Sequence, residues 1–209
     1  LYIMGATSLL PSFNQIPGIR MEERSPGSYR LSMRGSLLRS PFGVRNVKIY
    51  LNQIPLTDAG GNTYLNVIPV GMLEGVEIMK GPAASVYGAG TGGVVLLHSG
   101  DDAAAEIKKR QLSASVTGGS FGLFKQSLGW YINEKKTRIS IYQDHQRATG
   151  YREQSALNRD ALAARISHQT GKQIFSGQIL YSNIFYQTPG GLTLTQFQDR
   201  KSTRLNSSH

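Results

Sequence analysis

The sequence predicts a small α+β unit followed by the start of an antiparallel β-barrel of the transmembrane kind. Three observations carry that prediction. In the first hundred residues apolar side chains come in short clusters broken by Gly and Pro, whereas after about residue 110 they alternate with polar ones at a period of two. The connections between the alternating segments run tight, long, tight, long after the first hairpin, as a membrane barrel with short turns at one end requires. Between the two regimes lies the small, polar run Ser99-Gly100-Asp101-Asp102-Ala103-Ala104-Ala105-Glu106, which reads as a linker. A soluble sandwich could carry the same strands, but nothing in it would make loop length alternate by end. The expected division is 1–100 for the first unit, 101–109 for the linker, 110–198 for the barrel strands and 199–209 for a tail.

In the first unit, residues 8–16 are expected as a short helix, with Ser8 as N-cap, Leu9, Leu10 and Phe13 on its apolar side, and Pro17-Gly18 as its stop. Strands are expected at 29–34, Val47–Leu51, 76–79 and 94–97, and a short helix at 65–73, where apolar residues fall at roughly helical spacing.

Five strands follow. Leu112, Ala114 and Val116 alternate with serines and Thr117. Phe124, Leu128, Trp130 and Ile132 share a face, opposite Lys125, Ser127 and Tyr131. Ile139 and Ile141 alternate with Arg138, Ser140 and Tyr142, and Leu162, Ala164 and Ile166 with Ala163, Arg165 and Ser167. Phe175, Ile179, Tyr181 and Phe185 oppose Ser176, Gln178 and Ser182. Tight turns are expected at 118–122, 133–136 and 169–173, and long loops at 146–159 and from 186 onward. An open sheet of this kind leaves an edge and an apolar face uncovered, so the 209 residues are not expected to function alone.

Composition narrows the function. The net charge is +10, with 8 Lys and Arg against 5 Asp and Glu in residues 1–100, and 15 against 8 in the remainder. No dense basic stripe interleaved with stacking aromatics accompanies it, so a nucleic-acid partner is not expected. With no cysteine there is no disulfide and no thiolate metal site. His98, His145, His168 and His209 show no ligand spacing, and Ser85 lacks a nucleophile-elbow setting. Glu22-Glu23 reads as a solvated loop. No stretch reaches the length of a membrane helix. Leu1 stands where a start codon would place Met and no basic-flanked apolar leader follows, so a mature or truncated beginning is expected. The spacing Gly88, Gly90, Gly93 matches a dinucleotide fingerprint, but Val94-Val95-Leu96-Leu97 is β-prone where that motif needs a helix N-terminus. It is expected to be a loop that needs positive φ or close backbone contact. No enzymatic activity, resident metal or cofactor is expected.

Four ordered blocks in the first hundred residues carry a family resemblance. They are Ile16-Pro17-Gly18-Ile19-Arg20, Tyr29-Arg30-Leu31-Ser32-Met33-Arg34-Gly35, Val47 to Leu56, and Leu73 to Gly88 with its Gly-rich sequel through Leu97. In order and content they resemble the plug domain of TonB-dependent outer-membrane receptors. The final residues, Arg200 to His209, break the alternation and resemble translated adapter read-through, so a non-native tail is expected there.

The resemblance implies a plug inside the lumen of a barrel of about 22 strands, of which five are expected here. It implies a bacterial outer-membrane location, contact with outer-membrane lipid, TonB and its inner-membrane complex as the energising partner, and import of a scarce ligand, a ferric siderophore first. Haem, cobalamin or glycan import, or a ligand-sensing transducer of the same fold, is the alternative. The family's TonB box is not found in this sequence, so the N-terminus is expected to be incomplete. The plug loops expected at the ligand-facing apex are 23–28, 37–42 and 57–62, and the residues singled out there are Arg24, Arg39, Phe42, Asn62 and Tyr64. Arg supplies charge-assisted bonds to an anionic chelate, and aromatic rings pack on chelator rings. Arg34 and Lys80 correspond to two family arginines that resemble a lock between plug and barrel glutamates. Lys80 keeps the charge but not the bidentate fork.

Overall fold

The structure, a computed structural model, describes residues 8–25, 28–35, 43–45, 47–81, 84–88, 92–99 and 110–188, with side chains described at all of these except 24, 25, 84 and 85. The expected linker, the tail, Arg39 and Phe42 lie outside the described residues.

The first helix is shorter than the sequence suggests. α1 spans Leu10–Asn14, with Pro in its first turn and Leu9 at the N-cap. Ser8 sits one position earlier, and its hydroxyl accepts the Leu10 amide at 3.2 Å. Leu9 and Phe13 are fully buried and pin the helix to the core. The chain turns at Pro17-Gly18, with Gly18 at φ 75°. It then enters a hairpin that the sequence reading missed: β1 (Ile19–Ser25) pairs antiparallel with β2 (Ser28–Met33). Glu22-Glu23 is therefore strand and not loop, and the expected apex loop at 23–28 shrinks to the hairpin tip. Asn14 closes the junction, its side chain accepting the Met21 amide at 2.8 Å and donating to the Met21 carbonyl at 2.9 Å.

A four-stranded sheet forms the centre of the first unit. Its order is β4 (Ile54–Pro55), β3 (Val47–Leu51), β6 (Gly93–Ser99), β5 (Leu73–Met79). β3 and β6 are parallel, the other pairs antiparallel. Val47, Ile49, Leu51, Val95 and Leu97 are fully buried, and with Leu9, Phe13, Met21 and Met33 they make the core. The expected helix at 65–73 is instead two single 3-10 turns, Leu65–Val67 and Val70–Met72, running directly into β5. Pro69 separates them: it has no amide to donate, and it holds the chain extended at the start of the second turn. A one-turn helix, α2 (Ala84–Tyr87), precedes the Gly-rich loop. Gly93 at its far end has φ 132°, and a Cβ there would strike the Met79 carbonyl, so close backbone contact explains this glycine, as expected.

The second unit is one antiparallel sheet in sequential order: β7 (Arg110–Gly119), β8 (Leu123–Glu134), β9 (Thr137–Ala148), β10 (Leu157–Thr170) and β11 (Gln173–Tyr186). The strands run longer than their alternating cores, which cuts the long loop to 149–156 and two of the turns to 135–136 and 171–172. The two tight turns share one end, where the Gln169 amide donates to the Lys136 carbonyl at 2.8 Å. At the opposite end the 149–156 loop meets the first hairpin, with the Thr149 amide on the Phe121 carbonyl at 2.9 Å and the Phe121 and Tyr151 rings edge to face. Residues 189 onward, where a further long loop was expected, lie outside the described residues.

The sheet's faces are reversed relative to a soluble domain. Leu112, Val116, Trp130, Ile166, Phe175, Ile179 and Phe185 are exposed, while Lys125, Ser127, Asp144, Gln146, Arg159 and Arg165 are buried on the side against which the first unit packs. That is the arrangement of strands whose outer face meets lipid.

Candidate functional site

Two places bring functional side chains together: the seat of the first unit on the strand wall, and a cleft at one end of that seat. The seat is polar. Asp144 on β9 is fully buried and accepts from Ser127 at 2.7 Å and from Arg159 at 2.7 Å; the Lys125 ammonium stands 3.5 Å away. Strand register creates the group. Lys125 and Arg159 face Gln146 from the two neighbouring strands, and Asp144 lies two residues along β9 on the same face. One carboxylate thus answers two buried cations.

Tyr29 of β2 meets the wall beside this group. Its hydroxyl is pushed up to about 12, by burial first and the Glu23 carboxylate second, with the Arg159 guanidinium acting in the opposite direction. Further along β9, Tyr142 lies between Gly129 and Ala163, and these small neighbours leave room for its ring. Its hydroxyl reaches the backbone at Gly71, where any Cβ would collide with it. Ser182 on β11 also donates to the Asn66 carbonyl at 3.4 Å.

The cleft lies where the β1–β2 hairpin and the 43–45 and 62–66 segments approach the end of β11. It encloses about 350 Å³ and is lined by Ser28, Tyr29, Arg45, Asn62, Tyr64 and Tyr186, among others. Tyr186 pairs with Leu157, next to the 149–156 loop, so the cleft opens at the end away from the two tight turns. In a membrane barrel the short turns face the periplasm, which puts the cleft on the outside. Tyr64 is 60% exposed. Asn62 is less free than the sequence reading assumed. Its side-chain oxygen accepts Arg45 Nε at 2.8 Å, its amide donates to Asp58 Oδ1 at 2.8 Å, and its carbonyl accepts the Asp58 amide at 2.8 Å. Arg24 has its backbone in β1.

Arg34 and Lys80 come together, but within the first unit. The Lys80 ammonium donates to the Pro17 carbonyl, the Arg34 amide donates to the Gly18 carbonyl at 2.9 Å, and the Arg34 guanidinium lies beside Gly81. Both residues are exposed, at the open end of the β1–β2 hairpin. The barrel glutamates that the resemblance pairs with them are expected in strands beyond those of this chain, and Glu134 of β8 is paired with Arg110. On the five strands present, the plug meets the wall through Tyr29, Gly71 and Asn66.

Sequence reasoning passed over Arg45, Tyr186 and the buried charges of the wall. For the wall a signal existed: Lys125, Asp144, Arg159 and Arg165 all occupy the polar phase of alternating strands. Among the described residues no cluster of His, Asp and Glu could hold a metal ion.

A strand wall that is apolar outside and charged inside, with a small mixed unit seated on the charged side, defines a plugged outer-membrane barrel receptor. Residues 3–95 match the family model of the TonB-dependent receptor plug domain. The chain is similar to the vitamin B12 transporter BtuB of Vibrio vulnificus (strain CMCP6), 27% identical over 154 residues that make up 65% of this chain and 25% of that protein. Its fold is similar to that of the copper transporter OprC, with TM-score 0.68 at 16% identity over 89% of this chain and 29% of that one. The ferric yersiniabactin uptake receptor FyuA of Yersinia pestis gives TM-score 0.58 at 15% identity over 80% of this chain and 27% of that one. Residues 3–95 carry the plug domain of TonB-dependent receptors, and the strands after it share the fold of their outer-membrane barrels. The chain spans about a quarter of the length of the curated relative it matches.

Proposed function

We propose that the receptor containing this chain imports a scarce chelate across the outer membrane, energised by TonB and its inner-membrane complex, with a ferric siderophore as the first candidate cargo. The observation that supports it most is the seat. A plug seated over the buried charges of the polar wall, and touching it through Gly71 and Asn66, occupies the lumen side, and its cleft, rimmed by tyrosines, opens at the outer end. In this reading Tyr64, Arg24, Arg39 and Phe42 serve the apex, Asn62 supports it, and Arg34 and Lys80 secure the plug's inner end. No catalytic step and no resident cofactor are part of it. The similarity to a vitamin B12 transporter favours cobalamin as the second cargo to test.

Deleting the gene and following growth on a panel of chelated iron sources, and separately on limiting vitamin B12, tests the proposal. Loss of growth on one or more iron chelates is expected. Unchanged growth on all of them counts against iron, and loss on vitamin B12 alone replaces the cargo.

A further inference from the structure

We propose that the periplasmic end of the strand wall binds one anionic phospholipid of the inner leaflet, with Lys136 and Lys172 on its phosphate and a groove at Gly177 under an acyl chain. The inference rests on the outer-membrane fold and holds whatever the cargo.

Lys135, Lys136 and Lys172 occupy the two tight turns, 135–136 and 171–172, and all three are exposed. The Gln169 amide joins the turns through the Lys136 carbonyl at 2.8 Å, so the two hairpin tips stand side by side. Among the described residues none of the three lysines is in an ion pair, and Glu134, the carboxylate nearest to them in the chain, is held by Arg110 at 2.6 Å. The opposite end has no such excess, since its 149–156 loop carries Arg152 against Glu153. Depth fits the headgroup layer. Ile132, Ile139 and Phe175 each lie three residues from the turn lysine that ends their strand. Three residues of a tilted strand descend about 7 Å along the membrane normal, and the headgroup layer on each side of the hydrocarbon is about 5–8 Å thick. The four-carbon stem of lysine lets its ammonium settle at the height of the phosphates.

His168 and Thr137 pair across β10 and β9 on the outward side just above the tips, with Nδ1 and Oγ1 2.8 Å apart, and offer a polar contact below the phosphate. Deeper in the membrane, Gly177 stands on the outward side between Phe175 and Ile179, opposite Ile166, and these three apolar side chains are exposed. A Cβ at Gly177 would meet only Ile166 Cγ2, at 3.8 Å, and no left-handed backbone requires a glycine there. Packing within the wall therefore does not explain it. The missing side chain leaves a groove, apolar on three sides, that runs from below the lysines into the hydrocarbon. An acyl chain fills the groove while the phosphate meets the ammonium groups. A zwitterionic lipid sets its own ammonium against the lysines, so the site favours an anionic headgroup.

The test reconstitutes the complete receptor in phosphatidylcholine vesicles that contain a phosphatidylglycerol with a photoactivatable diazirine in its acyl chain, and maps the labelled residues by mass spectrometry. Label is expected on β10 and β11 around Gly177. Excess dioleoyl phosphatidylglycerol should displace it, dioleoyl phosphatidylethanolamine should not, and salt should weaken it. Lys136→Gln combined with Lys172→Gln should lower the apparent affinity about 25-fold, from about fivefold for each lysine beside an anionic headgroup. Gly177→Leu should reduce labelling and leave the headgroup preference intact, and Arg152→Gln, at the far end, should change neither. Label spread evenly around the wall, equal displacement by the zwitterionic lipid, or unchanged labelling of the double variant overturns the inference. Displacement by a soluble anionic cell-wall peptide but not by phosphatidylglycerol would assign the lysines to the cell wall and overturn it too.

Discussion

In the central sheet of the plug, the fully buried side chains are hydrocarbons: Val47, Ile49, Leu51, Val95 and Leu97. In the wall, the most deeply buried are Lys125, at 1% exposure, and Asp144, at 0%, while Phe175 and Ile179 are 62% and 68% exposed. The same chain therefore folds one unit by withdrawing apolar surface from water and the other by satisfying charge internally and leaving apolar surface for lipid. Each unit is therefore vulnerable in a different place. The plug tolerates polar change at its periphery but not in its sheet. The wall tolerates hydrophobic exchange on its outer face but not the loss of one partner from its charged seat.

The largest effect should come from Asp144→Ala. It leaves Lys125 and Arg159 as buried cations without a counter-charge, a situation that costs about 3–5 kcal/mol. Urea unfolding of the complete receptor should show it, and Asp144→Asn, which keeps the Ser127 hydrogen bond, should lose less. A cost as small as that of an exposed pair would mean the seat is hydrated. A middle-sized effect is expected at Gly71. Gly71→Ala drives a methyl into the Tyr142 hydroxyl, with an overpacking cost of about 1–3 kcal/mol. In a double-mutant cycle Tyr142→Phe should recover part of that, and strict additivity would show that the two units do not touch there. The smallest effect concerns Tyr29, whose hydroxyl is raised from 10.0 to about 12. A raised folded value means stability that is fully present below the unfolded value and lost as pH rises through the folded one. Between about pH 10 and 12 the wild-type plug should therefore lose stability relative to Tyr29→Phe. Parallel thermal melts at about pH 9 and 11 read the difference, and a constant gap across that range would refute it.

Much of this comparison is legible in the sequence, and the residues show why. Period-two alternation fixes which side of β8 carries Trp130 and which carries Lys125, because side-chain direction in a strand needs only parity. It does not give the register that brings Asp144 within reach of Arg159, since that depends on where each turn closes. In the plug, Ile19 and Met21 alternate with Arg20 and Glu22 as plainly as Tyr29, Leu31 and Met33 do with their neighbours. The adjacent carboxylates nonetheless made a strand read as a loop. The helical spacing at 65–73 gave way to Pro69, a local constraint that overrides periodicity. Arg45 carried no signal at all. Its place on the cleft comes from a bridge between Val44 and Thr63 across a stretch of chain with no repeating pattern.

The β1–β2 hairpin forms a sheet of its own, separate from the four-stranded one. Its two strands enter and leave side by side, at Ile19 and Met33. A mechanical load drawn through the chain before α1 would reach the hairpin at that open end and part its rungs one after another. The parallel β3–β6 pair, buried at the centre, would stay intact while that happened. The plug is in this sense a two-stage spring, with a soft leaf in front of a stiff one.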